Sequence, residues 1–281
     1  CLVGSEMCIR DRIMSDVTIS IVSYCQKSLL DRCLAQIHSL TLPTTWQTIV
    51  VDNNSRDGSS DMIAGKFPWV KLISLKKNIG YAGGHNTAFA QTESPIFITL
   101  NPDVIVQPGS LEILVQVLEK YDKAAIVGPC LLNPDGSNQF SARRFYTWRT
   151  VACRRLPIPG RKKVNDHHLM KDCDPEQVRS VDWILGATMA IRRSAFNAKA
   201  LFDARYKLYF EDVDLCYFAR RRGWDVLYCP QSKMVHDHQR TSARTLLSSA
   251  AIAHFVSWIK FYLKSKRYLK AEEGPLNGMG K

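Results

Sequence analysis

The sequence lacks paired cysteine motifs and long uninterrupted apolar runs. Hydrophobic residues make up 46 % and charged residues 23 % of the 281 residues. These ordinary proportions exclude a collagen-like chain, a disordered tail protein and a multi-pass membrane protein, and the length suits one large domain or two small ones. No two cysteines are spaced as CxxC, which argues against a zinc site, and with no secretory signal we expect reduced thiols, mostly in the core.

Acidic residues are scarce, because 26 Asp and Glu stand against 38 Lys and Arg, a net charge of +12 with neutral histidines. A basic surface attracts polyanions such as nucleic acid, anionic lipid or a phosphorylated ligand. No RNP motif, zinc-ligand spacing or recognition-helix pattern is present, so we expect no nucleic-acid partner. Residues 1–12 show no hydrophobic period and resemble translated adaptor sequence, so we treat 1–13 as a non-native extension and expect the native start near Met14.

Beyond this extension, short β-branched segments alternate with segments of helical periodicity. The pattern predicts strands over 17–24, 47–51, 70–75 and 95–100 and from 125, and helices over 30–40, 59–67, 83–91 and 111–118. Such alternation indicates βαβ units in an α/β fold with a mostly parallel central sheet. Ligands of such sheets bind beyond the carboxyl ends of the strands, and the polar motifs of this sequence follow predicted strands.

Two of these motifs suit a nucleotide. Asp52 ends the second predicted strand and can accept hydrogen bonds from a ribose or a base edge, although residues 52–58 are also turn formers. The segment 77–86 contains three glycines, which allow close approach of a ligand, and the helix after it offers free N–H groups to a phosphate. The segment is neither GxGxxG nor a Walker loop, which weakens dinucleotide and ATP interpretations.

Two further segments contain carboxylates. Asp103 is a hard oxygen ligand suited to Mg²⁺ or Mn²⁺ on a diphosphate, but an Asn-Pro-Asp turn also explains its segment. Glu211, Asp212 and Asp214 begin a segment of helical periodicity, where they either complement the helix dipole or supply a general base whose pKa is raised by crowding. His236, after a strand-like segment, can complete a metal site.

In this order, the motifs together resemble family 2 glycosyltransferases of the GT-A fold. The matching segments are SIVSY at 20–24, VVDNNSRDGS at 50–59, KNIGYAGGHNTAF at 77–89, LNPDV at 100–104, VDWILGATMAIRR at 181–193 and YFEDVDLCYFARRRGW at 209–224. The likeness spans about 17–242 and points to the bacterial rhamnosyltransferase and galactofuranosyltransferase branch. It implies a Rossmann-like GT-A domain over 14–242 and a helical appendage over 243–281.

The resemblance also implies a role for each motif residue. The donor would lie along Asp52, Asn54, Asn78, Gly80, Gly84, Asn86 and Asn101. Asp103 and His236 would hold Mg²⁺ or Mn²⁺, although Asn101 replaces the first Asp of the family's Asp-x-Asp motif, which puts tight metal binding in doubt. Asp212 would be the catalytic base, and the acceptor side would comprise Trp183, Gly186, Met189, Glu211 and Asp214.

The implied reaction is an inverting transfer of a sugar, above all L-rhamnose from dTDP-rhamnose, to a hydroxyl of a glycan or lipid-diphosphate-linked acceptor in cell-surface polysaccharide biosynthesis. A UDP-hexose or UDP-galactofuranose transferase is the alternative enzyme. A non-catalytic nucleotide-sugar-binding protein is the alternative of another class, which the presence of Asp103, Asp212 and His236 disfavours. The expected location is the cytoplasm, with peripheral contact to the inner face of the plasma membrane.

Two basic segments favour an anionic partner. Residues 141–163 contain eight Lys or Arg and no acid, which suits a solvated face or a loop or short helix across the mouth of the site that meets a diphosphate-bearing acceptor or anionic lipid. The second basic segment comprises Lys260, Lys264, Lys266, Arg267 and Lys270, and it lies at and beyond the end of residues 246–263. Those residues are rich in apolar side chains, but His254 and Lys260 interrupt them. They predict an amphipathic C-terminal helix that either packs on the domain or lies on a membrane surface.

Overall fold

The computed structural model describes residues 16–155, 159–173, 176–196, 199–206, 209–237 and 249–272, and the predicted extension 1–13 lies outside them. The strands are β1 Val17–Ser23, β2 Trp46–Asp52, β3 Lys71–Ser74, β4 Ile96–Leu100, β5 Val104–Val106, β6 Ala124–Leu132, β7 Ala142–Arg143, β8 Arg179–Ser180, β9 Trp183–Ile184, β10 Thr188–Arg192 and β11 Asp225–His236. The helices are α1 Lys27–Ser39, α2 Ser59–Lys66, α3 Gly80–Phe89, α4 Ser110–Lys120, α5 Trp148–Arg155, α6 Arg161–His168, α7 Glu211–Arg221 and α8 Ser249–Glu272, with a 3₁₀ turn at Arg193–Ala195.

Within the described ranges, nine strands form one sheet in the order β3-β2-β1-β4-β10-β6-β11-β5, and β8 also pairs with β11. Strands β1, β2, β3, β4, β6 and β11 run in one direction, whereas β5, β8 and β10 run in the other. The prediction of an α/β fold with a mostly parallel sheet is therefore confirmed. Strands β7 and β9 form a separate antiparallel pair.

Helices cover both faces of this sheet, which explains why its central strands are buried on both faces, including the polar residues Thr18, Ser20 and Thr99. On one face, α1 and α4 bury apolar side chains such as Leu34 and Leu114 against the strands. On the other face, α3, α7 and α8 contribute Phe89, Cys216 and Phe261 to a second core cluster. None of the described helices combines the length and the apolarity needed to cross a bilayer.

The motif residues gather at one edge of the sheet because of the strand directions. The ends of β2 and β4, at Asp52 and Leu100, flank the end of β1 in the parallel registers. The antiparallel strand β10 begins at the same edge, where Thr188 pairs with Leu100. Strand β11 ends there as well, and its last residue His236 pairs with Val104 of β5.

The predicted elements of the first half are present, with ends shifted by a few residues. Helix α3 begins at Gly80, earlier than the predicted residue 83, because the glycine-rich segment opens the helix instead of forming only a turn. The basic segment 141–163 contains α5 and the start of α6. The C-terminal helix, predicted to end at residue 263, continues to Glu272, since residues 264–272 are mostly strong helix formers.

Candidate active site

Asp52 is held by the turn that follows β2. Its Oδ1 accepts a hydrogen bond of 3.0 Å from the Ser55 amide, and its Oδ2 accepts one of 2.5 Å from the Ser60 hydroxyl. Asn54 adopts a left-handed φ of 66°, which asparagine tolerates well. The predicted turn is thus present, and the carboxylate, with about four acceptor sites, keeps capacity for a ligand.

Asn53, which the sequence analysis did not single out, connects this turn to the glycine-rich segment. Its Oδ1 accepts a 2.8 Å bond from the Ile79 amide, and its Nδ2 donates a 3.1 Å bond to the Gly80 carbonyl. Asn78 accepts a further 2.9 Å bond from the Gly80 amide. These bonds fix the start of α3, whose first N–H groups are the donors that the sequence analysis assigned to a phosphate.

Gly84 and Asn86 have structural contacts within α3. A Cβ on Gly84 would lie 2.7 Å from the methyl groups of Val22, so only glycine allows α3 to approach β1 this closely. The Asn86 side chain accepts bonds of 2.9 and 2.8 Å from the Leu201 and Phe202 amides and donates one of 2.7 Å to the Phe202 carbonyl. Contact of these two residues with a donor stays a prediction.

Asp103 and His236 are brought together from distant parts of the chain. Their Oδ1 and Nε2 atoms lie 3.4 Å apart, and both side chains are largely buried. The pairing of β5 with the end of β11 places them. Asp103 Oδ1 is buried without a hydrogen-bond partner in the protein, so this oxygen has an unused lone pair directed at the histidine.

Gln139, also missed by the sequence analysis, fixes the orientation of His236. Its Nε2 donates a 2.6 Å bond to the His236 carbonyl, which turns its Oε1 toward His236 Nδ1 at 2.8 Å. Because Oε1 can only accept, Nδ1 carries a proton and Nε2 faces Asp103. A histidine that donates through one nitrogen and presents the other is the arrangement found at metal ligands.

These groups fit a divalent cation that also binds the substrate. The described part of the chain holds no cluster of three or more His, Cys, Asp or Glu side chains suited to a metal. Mg²⁺ commonly takes only one or two protein ligands and completes its shell with phosphate oxygens and water. Asn101 lies two residues before Asp103, and its backbone N–H donates a 2.9 Å bond to the Ala187 carbonyl, which places it next to β10.

Glu211 and Asp212 begin α7 and are both half-buried. Asp212 Oδ2 accepts a 2.9 Å bond from the Gly186 amide, and Oδ1 accepts a 2.8 Å bond from the Val213 amide. Burial raises the pKa of Asp212, while these two N–H groups lower it. Burial and the Asp212 charge raise the pKa of Glu211 to about 8. Near pH 7 Glu211 therefore holds a proton, and the two N–H donors favour the charged form of Asp212.

Tyr81 fixes the position of Gly186, which in turn packs against Asp212. The Tyr81 hydroxyl donates a 2.6 Å bond to the Gly186 carbonyl. A Cβ on Gly186 would lie 3.2 Å from Asp212 Cβ and 3.4 Å from its Oδ2. Gly186 therefore leaves room for the carboxylate and supplies its N–H donor. The adjacent Ala187 accepts a bond from Asn101, so the segment 186–187 connects the Asp212 site with the segment that contains Asp103.

Two of the remaining predicted acceptor residues are buried. Trp183 is 2 % exposed and donates a 3.0 Å bond to the Arg144 carbonyl, and the Arg143 guanidinium lies 5.2 Å from the centre of its ring. The charge of Arg143 also lowers the pKa of Asp212, behind burial and its backbone donors. Met189 is fully buried in β10. A direct acceptor contact of these side chains stays a prediction.

Asp214 makes its contacts with the C-terminal helix. Its Oδ2 lies 2.6 Å from Lys264 Nζ, and its Oδ1 accepts a 3.1 Å bond from the Tyr206 hydroxyl. Both oxygens are therefore engaged within the protein, and its predicted acceptor-side role is untested. No sequence signal indicates this contact, because Lys264 follows the predicted helix 246–263 and no sequence pattern names its distant partner.

The geometry described so far defines a class of protein: an α/β domain with nucleotide-type motifs, an Asp–His pair and a half-buried carboxyl pair at one sheet edge. The family described as Glycosyl transferase family 2 matches residues 18–197. The chain belongs to this family and is a glycosyltransferase of the GT-A fold.

Individual relatives agree with this assignment. The N-acetylglucosaminyl-diphospho-decaprenol L-rhamnosyltransferase of Mycobacterium tuberculosis is 29 % identical over 260 residues, which cover 88 % of this chain and 84 % of that protein. The low-salt glycan biosynthesis hexosyltransferase Agl10 of Haloferax volcanii is 22 % identical, with 84 % and 72 % covered.

A solved structure has the same fold. The mannosyltransferase of Pyrobaculum calidifontis, in complex with GDP-mannose and Mn²⁺, superposes with a TM-score of 0.64 at 16 % identity over 90 % of this chain. The present chain spans 65 % of the length of that protein. At this level of identity the likeness concerns the fold.

Proposed function

We propose that this enzyme transfers L-rhamnose from dTDP-rhamnose to a hydroxyl of a lipid-diphosphate-linked glycan acceptor, with inversion at the anomeric carbon. The observation that carries the proposal is the half-buried Asp212 carboxyl group, fixed by the Gly186 amide beside the segment that contains Asp103. The donor and acceptor follow the rhamnosyltransferase relative, which covers most of both chains. An acceptor of this kind suits a cytoplasmic enzyme in peripheral contact with the membrane.

Donor binding is assigned to the edge formed by β1, β2 and β4. Asp52 binds the ribose or base through the acceptor sites left by Ser55 and Ser60. The first N–H groups of α3 face the diphosphate, where the helix dipole favours negative charge. Asp103 and His236 would hold Mg²⁺ or Mn²⁺, which when bound offsets the charge that develops on the leaving diphosphate.

In the chemical step, Asp212 takes the proton of the acceptor hydroxyl. The acceptor oxygen forms a bond to the anomeric carbon, the bond from that carbon to the diphosphate oxygen breaks, and the acceptor hydroxyl proton passes to the Asp212 carboxylate. The Gly186 and Val213 amides oppose the rise in the Asp212 pKa that burial causes and so favour the ionised form that a base requires. Protonated Glu211 adds no negative charge beside it.

A panel of nucleotide sugars tests this proposal by thermal shift, with and without Mn²⁺. A ligand at about 100 times its Kd stabilises the folded state by about 2.7 kcal/mol, which raises the melting temperature by a few degrees. We expect the largest Mn²⁺-dependent shift from dTDP-rhamnose, its loss in Asp52→Ala, and its retention in the exposed control Asp122→Ala. A larger shift from a UDP-hexose or UDP-galactofuranose would replace the donor assignment. Binding without transfer to any prenyl-diphosphate glycan would favour the non-catalytic alternative.

A further inference from the structure

The inner face of helix α8 is attached to the catalytic domain. Phe261 is 7 % exposed, and its ring lies 5.7 Å from that of Phe210 and 5.2 Å from that of Tyr217. Lys264 Nζ lies 2.6 Å from Asp214 Oδ2, in helix α7, and 2.9 Å from Asp203 Oδ2. Aromatic packing and a buried ion pair thus hold α8 in a defined orientation against α7, which also carries Asp212.

The outer face of α8 is apolar and exposed. Six large hydrophobic residues form it, and we call them the outer stripe: Ile252, Phe255, Val256, Ile259, Tyr262 and Leu263. Their exposed fractions run from 37 to 56 %, and the described part of the chain holds only three other exposed large hydrophobic residues. At 3.6 residues per turn they fall within an arc of about 120°. Exposed apolar surface concentrated in this way marks an interaction site.

Positive charge accompanies the outer stripe. Lys260 and Lys266 are exposed on the same helix, and Lys260 donates a 3.1 Å bond to the Arg205 carbonyl while its ammonium stays at the surface. The sequence adds Arg267 and Lys270, and the whole chain carries a net charge of +12. Two copies of such a surface repel each other, whereas an anionic surface attracts it.

We propose that the outer stripe of α8 docks on a bilayer that contains anionic phospholipids. Apolar side chains that enter the interface, with lysines beside them at the headgroups, are the pattern of a helix lying in the plane of a membrane surface. The polar face that such a helix normally has is replaced here by the face packed on the protein. This inference deepens the proposed function and rests on it in one respect, the lipid-linked acceptor. Docking through α8 would place α7, which carries Asp212, close to the membrane that holds such an acceptor.

Vesicle co-sedimentation with the full chain tests the proposal. The probes are vesicles of phosphatidylcholine with phosphatidylglycerol and vesicles of phosphatidylcholine alone. We expect binding to the mixed vesicles, weakened by salt, and a fall of at least about tenfold in the partition coefficient for Ile259→Glu with Leu263→Glu. The matched control is Trp69→Glu with Tyr121→Glu, which places the same charges at two exposed hydrophobic positions away from α8. It should bind as the wild type does.

Three further measurements distinguish the possible outcomes. Circular dichroism melts establish that both double variants fold, and sedimentation velocity measures their oligomeric state. Equal vesicle binding by wild type and stripe variant would overturn the proposal, as would a dimer that the stripe variant abolishes. Transfer to a water-soluble acceptor analogue should be unchanged in the stripe variant, and its absence in the wild type would count against the proposed function without touching the docking result.

Discussion

Lys264 Nζ lies 2.6 Å from Asp214 Oδ2 and joins the C-terminal helix to the helix that carries the proposed base. The pair is largely removed from water, with exposed side-chain fractions of 18 % for Lys264 and 5 % for Asp214. Burial raises the pKa of Asp214, and the Lys264 charge and hydrogen bond oppose that rise. The lysine therefore favours the charged form of a buried carboxyl group, and the ion pair connects the two helices.

Replacing Lys264 by Met should destabilise the protein strongly, because it leaves Asp214 buried without its cation. Breaking a buried pair in this way costs about 3–5 kcal/mol. Urea unfolding measures the change. The control Lys266→Met removes an exposed lysine from the same helix, and its effect should stay within about 0.5 kcal/mol. Equal unfolding free energies for the two variants would contradict a supporting role of the Lys264–Asp214 pair.

The sequence predicts the strands and helices of the first half well, since hydrophobic period and turn chemistry are local properties. It also places Asp52, Asp103, Asp212 and His236 at strand and helix ends. What it does not predict is long-range pairing. Gln139 and His236 are 97 positions apart, and no local pattern distinguishes this glutamine from an exposed one.

The glycine-rich segment shows a second limit of sequence reasoning. Three glycines there suggested close approach of a ligand, yet Gly84 approaches Val22 of the neighbouring strand instead. Close approach to protein and close approach to substrate impose the same requirement on a residue. Only the packing of the helix on the sheet distinguishes them.

Asp212→Asn should abolish most of the transfer while leaving the donor bound. The amide is similar in shape to the carboxylate but cannot take the acceptor proton, and general-base catalysis contributes about 10²–10⁴-fold to the rate. Turnover and donor affinity, measured separately, check this. Glu211→Gln serves as the matched control, since Glu211 is protonated near pH 7, and it should lose much less. Full turnover of Asp212→Asn alongside an inactive Glu211→Gln would move the base to Glu211.

Gln139→Leu should weaken divalent-cation binding by about 10–100-fold, the usual cost of losing a partner that orients a metal-binding histidine. The readout is Mn²⁺ affinity in the presence of a nucleoside diphosphate, followed by the loss of the free-ion electron paramagnetic resonance signal. Gln36→Leu is the control, because the Gln36 side chain also makes two hydrogen bonds, but both of them are to the Val106 backbone. Unchanged Mn²⁺ affinity in Gln139→Leu would contradict the assignment of His236 as a metal ligand oriented by Gln139.

Ionisation of Glu211 should make the protein less stable as the pH rises. Its folded-state pKa of about 8 lies above its ordinary value of 4.5, mainly because burial penalises the charged form. The contribution of protonated Glu211 is therefore complete below pH 4.5 and is lost between that value and about pH 8. The loss is on the order of 1.4 kcal/mol for each pH unit in this window.

Urea unfolding of the wild type and Glu211→Gln across this window measures the effect. Glutamine stays neutral at every pH, so the variant should gain stability relative to the wild type from acid toward pH 8, and the two curves should then run parallel. Glu119→Gln, at an exposed position of α4, should follow the wild type throughout. A constant difference between wild type and Glu211→Gln from acid to alkaline pH would mean that Glu211 ionises at its ordinary pKa. The proton of the carboxyl pair would then have to be assigned to Asp212, and Asp212 could not be the base near neutral pH.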